Sequence, residues 1–138
     1  MLDKIIIHTD GGARGNPGPS ASAAVLENEL GEILATPTFY LGVGTNNQAE
    51  YQGVIIALQE AKKISATAEL NFFLDSELVV RQLIGEYKIK NQDLRKLWEE
   101  ILNLSHGFKK ISYQHIPREK NYQADKLVNE VLDREARK

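Results

Sequence analysis

The segment IIIHTD, residues 5–10, joins an apolar run typical of a β-strand to a carboxylate, and LNFFLD, residues 70–75, repeats the pattern. Short apolar runs of this kind predict buried strands. In open α/β sheets, ligands bind beyond the carboxyl ends of the strands. If the two strands are parallel neighbours, we expect Asp10 and Asp75 to meet at one edge of the sheet.

Two further carboxylates lie on the apolar faces of predicted helices. Glu50 shares a helical face with small and apolar residues of segment 46–64: Gly53, Val54, Ala57, Leu58 and Ala61. Asp125 begins a similar stripe with Val128 and Leu132 in segment 121–137. An unpaired charge on an apolar face is costly. Any one of these carboxylates is more often a helix cap or a solvated strand end, but the four together indicate a shared site.

Asp10, Glu50, Asp75 and Asp125 could not all ionise side by side without a counter-charge, because like charges raise one another's pKa. Hard oxygen ligands in a chain without cysteine favour Mg²⁺, with Mn²⁺ as a substitute. Two such ions, about 3.5–4 Å apart, would activate a water and stabilise the leaving oxygen in phosphodiester hydrolysis.

The remaining patterns predict one α/β domain over residues 1–138. Strands are expected at residues 5–10, 21–27, 33–42, 69–74 and 111–116, and helices at 46–64, 76–84, 91–104 and 121–137. Thr45 and Gln48 match a capping box at the start of the first helix. Three strands followed by alternating helices and strands favour a mixed five-stranded sheet flanked by helices.

Composition narrows the class of protein. With 42% hydrophobic and 26% charged residues, it is that of a soluble globular domain. There is no apolar run near 18 residues, which predicts no membrane contact. Residues 1–4 lead straight into a strand without a secretory signal, and cysteine is absent, which together favour the cytoplasm. The net charge of −2 gives no basic footprint for nucleic acid.

Residues 11–19 read as a glycine- and proline-rich loop. Gly11, Gly12 and Gly15 after a strand suggest a phosphate-binding loop, but the prolines that follow disfavour a helix start and no Gly-Lys-Ser/Thr is present. A loop of small residues beside Asp10 would instead let a polymer backbone approach the metal site.

Five motifs in register resemble type 1 ribonuclease H, in a compact form that lacks a basic protrusion. They are Thr9-Asp10-Gly11-Gly12, Gly15-Asn16-Pro17-Gly18-Pro19, Thr45-Asn46-Asn47-Gln48-Ala49-Glu50, Asp75-Ser76, and His115 with Asp125. The resemblance runs from about residue 3 to 136. It implies a ribonuclease H-like fold, with three antiparallel strands followed by two parallel ones. It also implies metal-dependent internal cutting of the RNA strand of RNA/DNA hybrids, leaving 5′-phosphate and 3′-hydroxyl ends. Separately, we expect the protein to be a monomer.

The resemblance also implies roles for individual residues. By position, Asp10, Glu50, Asp75 and Asp125 are similar to the family's metal-binding quartet. His115 is similar to the histidine that assists product release or proton movement, although by itself it would be a plain solvated residue. A set of polar and small residues is similar to the part that reads RNA through its 2′-hydroxyls: Gly12, Asn16, Asn46, Asn47 and Gln48. Ordinary turn and cap chemistry is the alternative for this set.

Two departures from the family pattern bear on substrate binding. Only residues 85–90 lie where some members carry a basic extension, which leaves Lys88 and Lys90 as candidates for phosphate contact. Glu77 stands where other members often have Gln. Two alternatives remain open: a nuclease on the same fold that acts on double-stranded RNA or a DNA intermediate, and a non-catalytic binding domain.

Overall fold

The apolar runs of the sequence form a six-stranded sheet in the computed structural model, which describes residues 3–138. The strands are β1 (Lys4–Ala13), β2 (Gly18–Glu27), β3 (Ile33–Ala35), β4 (Thr38–Gly44), β5 (Glu69–Leu74) and β6 (Lys110–His115). The helices are α1 (Asn46–Ile64), α2 (Glu77–Leu83), α3 (Gln92–Ser105) and α4 (Tyr122–Ala136), and a short 3₁₀ turn, Arg118–Lys120, precedes α4. The bounds of the four predicted helices are confirmed to within one residue.

The sheet is mixed, as predicted. Its order is β3-β2-β1-β5-β6, with β4 also paired to β2. The pairs of β2 with β1, β3 and β4 are antiparallel, whereas β1 with β5 and β5 with β6 are parallel. The predicted α/β class and the order of antiparallel and parallel strands are therefore confirmed.

The predicted third strand, residues 33–42, is divided into β3 and β4, which gives six strands instead of five. Proline has no N–H to donate to a strand ladder, and Pro37 lies at the interruption. Its carbonyl still accepts from the Ala24 N–H at 3.0 Å, so the chain stays on the edge of β2 through the break.

The predicted loop 11–19 begins later than expected. Gly11, Gly12 and Ala13 continue β1 and pair with residues 20–22 of β2. The parallel ladder between β1 and β5, however, ends at the pair Thr9 and Leu74. Asp10 and Asp75 therefore both lie immediately beyond this ladder, where the carboxyl ends of the two strands meet.

Helix α1 packs on one face of the sheet and carries Glu50 to that edge. Its first turn has the predicted capping box of Thr45 and Gln48. Val54 and Leu58 of α1 are fully buried against strand residues such as Ile7 and Phe72. A smaller cluster on α4 (Val128, Val131 and Leu132) packs on Ala21 and Ala23 of β2 and places Asp125 near the same edge.

Close approach between α1 and β1 requires glycine at one position. A Cβ added to Gly11 would overlap the backbone of Ala49. Gly11 therefore lets the first turn of α1, with Glu50, lie directly on β1.

Within residues 3–138, no helix combines the length and the apolar character that a membrane span would need.

Candidate metal centre and substrate surface

Asp10, Glu50 and Asp75 converge at the edge of the sheet. One carboxylate oxygen from each lies within 4.8 Å of the others. Asp10 and Glu50 are buried, and Asp75 is half-buried. Three elements that are distant in sequence, β1, α1 and the loop after β5, thus deliver three acidic groups to one place.

Asp125 faces this triplet from the first turn of α4. It lines the same pocket, of about 400 Å³, together with Asp10, Glu50 and Asp75. Arg118 lies 3.7 Å from its carboxylate. Asp125 belongs to the pocket but lies outside the tight group of three.

The triplet holds its protons unusually strongly. Burial, followed by the negative charges of Asp75 and Asp125, raises the pKa of Asp10 to about 7. Burial and the charge of Asp10 raise the pKa of Glu50 well above its ordinary value. Burial also raises the pKa of Asp75, although a hydrogen bond from Asn121 opposes this. A cation bound among these groups would remove the cost of ionising them.

One acceptor in this group is left without a partner. The Gly11 N–H donates to Glu50 Oε1 at 3.0 Å, but Glu50 Oε2 is buried and accepts no hydrogen bond from residues 3–138. A buried acceptor without a partner costs about 1–3 kcal/mol. The donor set consists of carboxylate oxygens, which suits hard divalent cations such as Mg²⁺ or Mn²⁺. The residues present therefore fit a divalent metal.

Two asparagines beside the pocket have their amide oxygens engaged by backbone groups. The Asn46 N–H donates to Asn16 Oδ1 at 3.0 Å, and the Ala13 N–H donates to Asn46 Oδ1 at 2.8 Å. Both residues are exposed. Because the amide oxygens accept these bonds, the NH₂ groups take no part in them. Gly12, Asn46 and Asn47 also line the acidic pocket.

Gln48 has a structural role that the sequence already indicated. Its Oε1 accepts from the Thr45 N–H at 2.9 Å, which completes the capping box of α1. Together with Asn16, Asn46 and Asn47 it lines a neighbouring cavity of about 370 Å³. The predicted substrate set other than the two lysines therefore forms one continuous surface beside the acidic pocket.

Lys88 and Lys90 lie elsewhere, in a groove between α2 and α3. This groove, of about 790 Å³, is lined by Lys88, Lys90 and Arg95 with two aromatic residues, Tyr87 and Trp98. The Arg95 guanidinium lies 5.9 Å from the centre of the Trp98 ring. Among residues 3–138, no carboxylate lines the groove, so the charged side chains along it are all positive. Helix α2, whose seven residues span roughly 10 Å, lies between Asp75 and the groove residues in the sequence.

His115 is the last residue of β6, in register with Leu74. It is exposed and lines a separate shallow cavity with Glu77, Arg81 and Tyr113. His115 thus lies within the strand predicted at residues 111–116, at its end, beside Asp75 and open to solvent. Glu77 is paired with Arg81 at 3.3 Å.

Three residues around the site were missed in the sequence. Arg14 and Arg118 line the acidic pocket and pair with Asp133 and Asp125. Asn121 is buried, and its amide nitrogen donates to the Thr9 carbonyl at 2.8 Å and to Asp75 at 3.3 Å. An asparagine directly before a helix is usually an N-cap residue. Nothing in the sequence therefore indicated that Asn121 has a different role.

Comparisons with known proteins agree with this geometry. A family model described as "Reverse transcriptase-like" matches residues 8–131. A bifunctional protein of Mycobacterium tuberculosis is 42% identical over 94% of the chain. A protein named ribonuclease H from Buchnera aphidicola is 30% identical over 94% of the chain and 91% of its own length. The chain spans only 36% of the mycobacterial relative.

A solved structure is similar over nearly its whole length. It is a ribonuclease H1 in complex with an RNA/DNA hybrid, 41% identical, with a TM-score of 0.91. The match covers 96% of this chain and 99% of that one. The similarity therefore extends over both the sheet and the helices.

Proposed function

Because the chain belongs to the type 1 ribonuclease H family, we propose that it hydrolyses the RNA strand of RNA/DNA hybrids. It cuts internally and leaves 5′-phosphate and 3′-hydroxyl ends. The observation that carries this proposal is the triplet of Asp10, Glu50 and Asp75, with oxygens within 4.8 Å of one another. A binding domain without catalysis has no use for three crowded carboxylates with raised pKa values.

The four pocket carboxylates hold the metal in this proposal. Asp10, Glu50 and Asp75 are the inner ligands, and Asp125 completes the set from α4. Two divalent cations bound there supply a water of lowered pKa and a counter-charge for the leaving oxygen. Mg²⁺ is the cation we propose, with Mn²⁺ as a substitute, because both prefer oxygen ligands.

The asparagine surface reads the RNA strand. With their amide oxygens engaged by backbone N–H groups, Asn16 and Asn46 present NH₂ donors to the substrate. A 2′-hydroxyl can accept from such donors, and it is the group that distinguishes RNA from DNA. Gly12, Asn47 and Gln48 complete this surface, where Gly12 and Asn47 adjoin the acidic pocket. The RNA strand is thereby selected next to the carboxylates.

The cationic groove holds the backbone of the hybrid away from the cleavage site. Lys88, Lys90 and Arg95 supply positive charge for phosphates, and Trp98 supplies a flat apolar surface. Phosphate contacts provide most sequence-independent affinity for nucleic acids. In a chain of net charge −2, a groove without carboxylates is a favourable place for a polyanion.

His115 assists release of the product or movement of a proton. It ends β6 next to Asp75 and is exposed, so its imidazole is accessible both to a product at the carboxylates and to solvent. We place the protein in the cytoplasm as a monomer. The absence of cysteine supports the reducing compartment.

A panel of duplexes tests the proposal. RNA/DNA, RNA/RNA and DNA/DNA duplexes of one sequence are incubated with Mg²⁺, with Mn²⁺ and with EDTA, and the products of each strand are mapped. We expect cleavage of the RNA strand of the hybrid only, with 3′-hydroxyl ends and no reaction in EDTA. Asp75→Asn serves as the inactive control. Equal cleavage of RNA/RNA would favour a different nuclease, and binding without cleavage would favour a scaffold domain.

A further inference from the structure

Asn121 occupies the N-cap of α4 without capping it. At the other three α-helices, the side chains of Thr45, Ser76 and Asn91 accept a hydrogen bond from a backbone N–H of the first turn. Asn121 makes no such bond, although asparagine is among the preferred N-cap residues. Its side chain is directed toward the sheet instead.

The Asn121 side chain joins β1 to the loop that follows β5. It is 1% exposed, and its Nδ2 donates to the Thr9 carbonyl at 2.8 Å and to Asp75 Oδ2 at 3.3 Å. Both partners are acceptors, so the amide nitrogen must face them. Its Oδ1 is buried and accepts no hydrogen bond within the described part of the chain. The orientation of Asn121 is therefore set by the carbonyl next to Asp10 and by Asp75 itself.

The backbone of Asn121 also contacts Asp125, the fourth carboxylate of the pocket. Its carbonyl accepts from the Asp125 N–H at 3.1 Å in the first turn of α4. One residue thus contacts Thr9, Asp75 and Asp125, and these belong to three of the elements that form the acidic pocket. Asp125 is the carboxylate outside the tight triplet, so its distance from the others depends on where α4 begins.

We infer that Asn121 is a positioning residue of the metal centre, which fixes Asp75 and the first turn of α4 relative to β1. This inference rests on the proposed function, since it concerns the same carboxylates. A residue with this role would determine how closely the carboxylate oxygens of the pocket match the geometry that the metal requires. It would itself contact neither the metal nor the RNA. Outer partners of metal ligands typically contribute about 10- to 100-fold in metal affinity or activity.

The sequence offers a matched control in Asn71. Its Nδ2 also bridges two acceptors on the sheet, Glu69 Oε2 at 3.2 Å and Ser112 Oγ at 3.0 Å. Asn71 lies four residues before Asp75 on β5, roughly 13 Å away along the strand. Replacing Asn71 removes the same kind of bonds without reaching the acidic pocket.

The experiment compares Asn121→Ala and Asn121→Ser with Asn71→Ala and the wild-type protein. Ser is a good N-cap residue, so Asn121→Ser keeps the start of α4 while the amide nitrogen is lost. Calorimetry gives the Kd of the free protein for Mn²⁺ alone, and hybrid cleavage at saturating Mn²⁺ gives kcat and KM. We expect both Asn121 variants to raise the Kd and lower kcat by about 10-fold or more, with KM changed by less than about 3-fold. Asn71→Ala should lower Tm and leave both the Kd for Mn²⁺ and the kcat for hybrid cleavage unchanged.

Wild-type Kd and kcat in Asn121→Ser would overturn the inference, and so would an equal loss in Asn71→Ala. If Asn121→Ala does not fold, Asn121→Ser decides. The calorimetric Kd also separates this inference from the proposed function. A wild-type protein that binds Mn²⁺ but does not cut hybrid would refute the function, while weaker Mn²⁺ binding by the Asn121 variants would still support the positioning role.

Discussion

Aspartates at different positions in this protein have very different properties. Asp133 is exposed and pairs with Arg14 at 2.6 Å on the surface. Asp10 is 6% exposed, and burial and neighbouring carboxylates raise its pKa to about 7. Desolvation disfavours the charged form of the buried Asp10 carboxyl group, which is why its pKa is raised. The chemistry of Asp10 is a property of its surroundings.

Asp10→Asn should abolish hybrid cleavage and stabilise the metal-free protein. The substitution removes one of the crowded charges while the side chain keeps its size, and we expect about 1–3 kcal/mol of added stability near pH 8. Activity assays and denaturant unfolding in EDTA measure the two effects. Asp3→Asn, exposed at the opposite end of β1, is the control. Wild-type turnover in Asp10→Asn would contradict the assignment of Asp10 to the metal centre.

The boundaries of the helices were predicted from the sequence more accurately than those of the strands. Helix starts were predicted well, because caps such as Thr45 with Gln48 are local interactions between residues near in sequence. The extension of β1 through Gly11 and Gly12 was missed, because glycines usually mark turns. Here Gly11 is required by the close packing of α1, which only the folded structure reveals.

The segment between α2 and α3 allows a prediction about substrate affinity. Replacing Lys88 and Lys90 together by Ala should raise KM for the hybrid by about 5- to 10-fold and leave kcat nearly unchanged. The slope of log KM against log salt should fall by about 1–2, since each lost phosphate contact removes about 0.7–0.9. Steady-state kinetics over a range of KCl concentrations measure both.

The control replaces Lys109 and Lys110 by Ala, which changes the net charge equally. Lys110 begins β6 and Lys109 directly precedes it, so both lie at the end of the parallel strands opposite the acidic pocket. The same rise in KM in this control would show that the effect comes from overall charge and not from the groove.

At the scale of the whole molecule, the acidic pocket couples folding to pH. The unfolded chain loses the Asp10 proton near pH 3.8, whereas the folded protein keeps it until about pH 7. Between these values the folded state binds more protons, so this group makes the metal-free protein less stable as pH rises. The raised pKa values of Glu50 and Asp75 act in the same direction.

The stability of the metal-free protein should therefore depend on pH through Asp10. The difference in unfolding free energy between Asp10→Asn and wild type should grow from pH 4 to pH 7, by on the order of 2 kcal/mol, and then level off. Saturating Mg²⁺ at pH 8 should reduce that difference. Denaturant unfolding of both proteins across this range measures it, and a difference independent of pH would contradict the raised pKa.

The α/β class and the four helices could be predicted from the amino-acid sequence alone, because periodicity, caps and apolar runs are local features, and the same patterns singled out the four carboxylates. Which of these groups lie side by side depends on the fold. The register of Thr9 with Leu74 brings Asp10 next to Asp75, the packing of α1 on Gly11 adds Glu50, and the Asn121 side chain joins the start of α4 to the Thr9 carbonyl. These contacts join residues far apart in the chain, so they depend on strand register and helix packing, which no local pattern encodes.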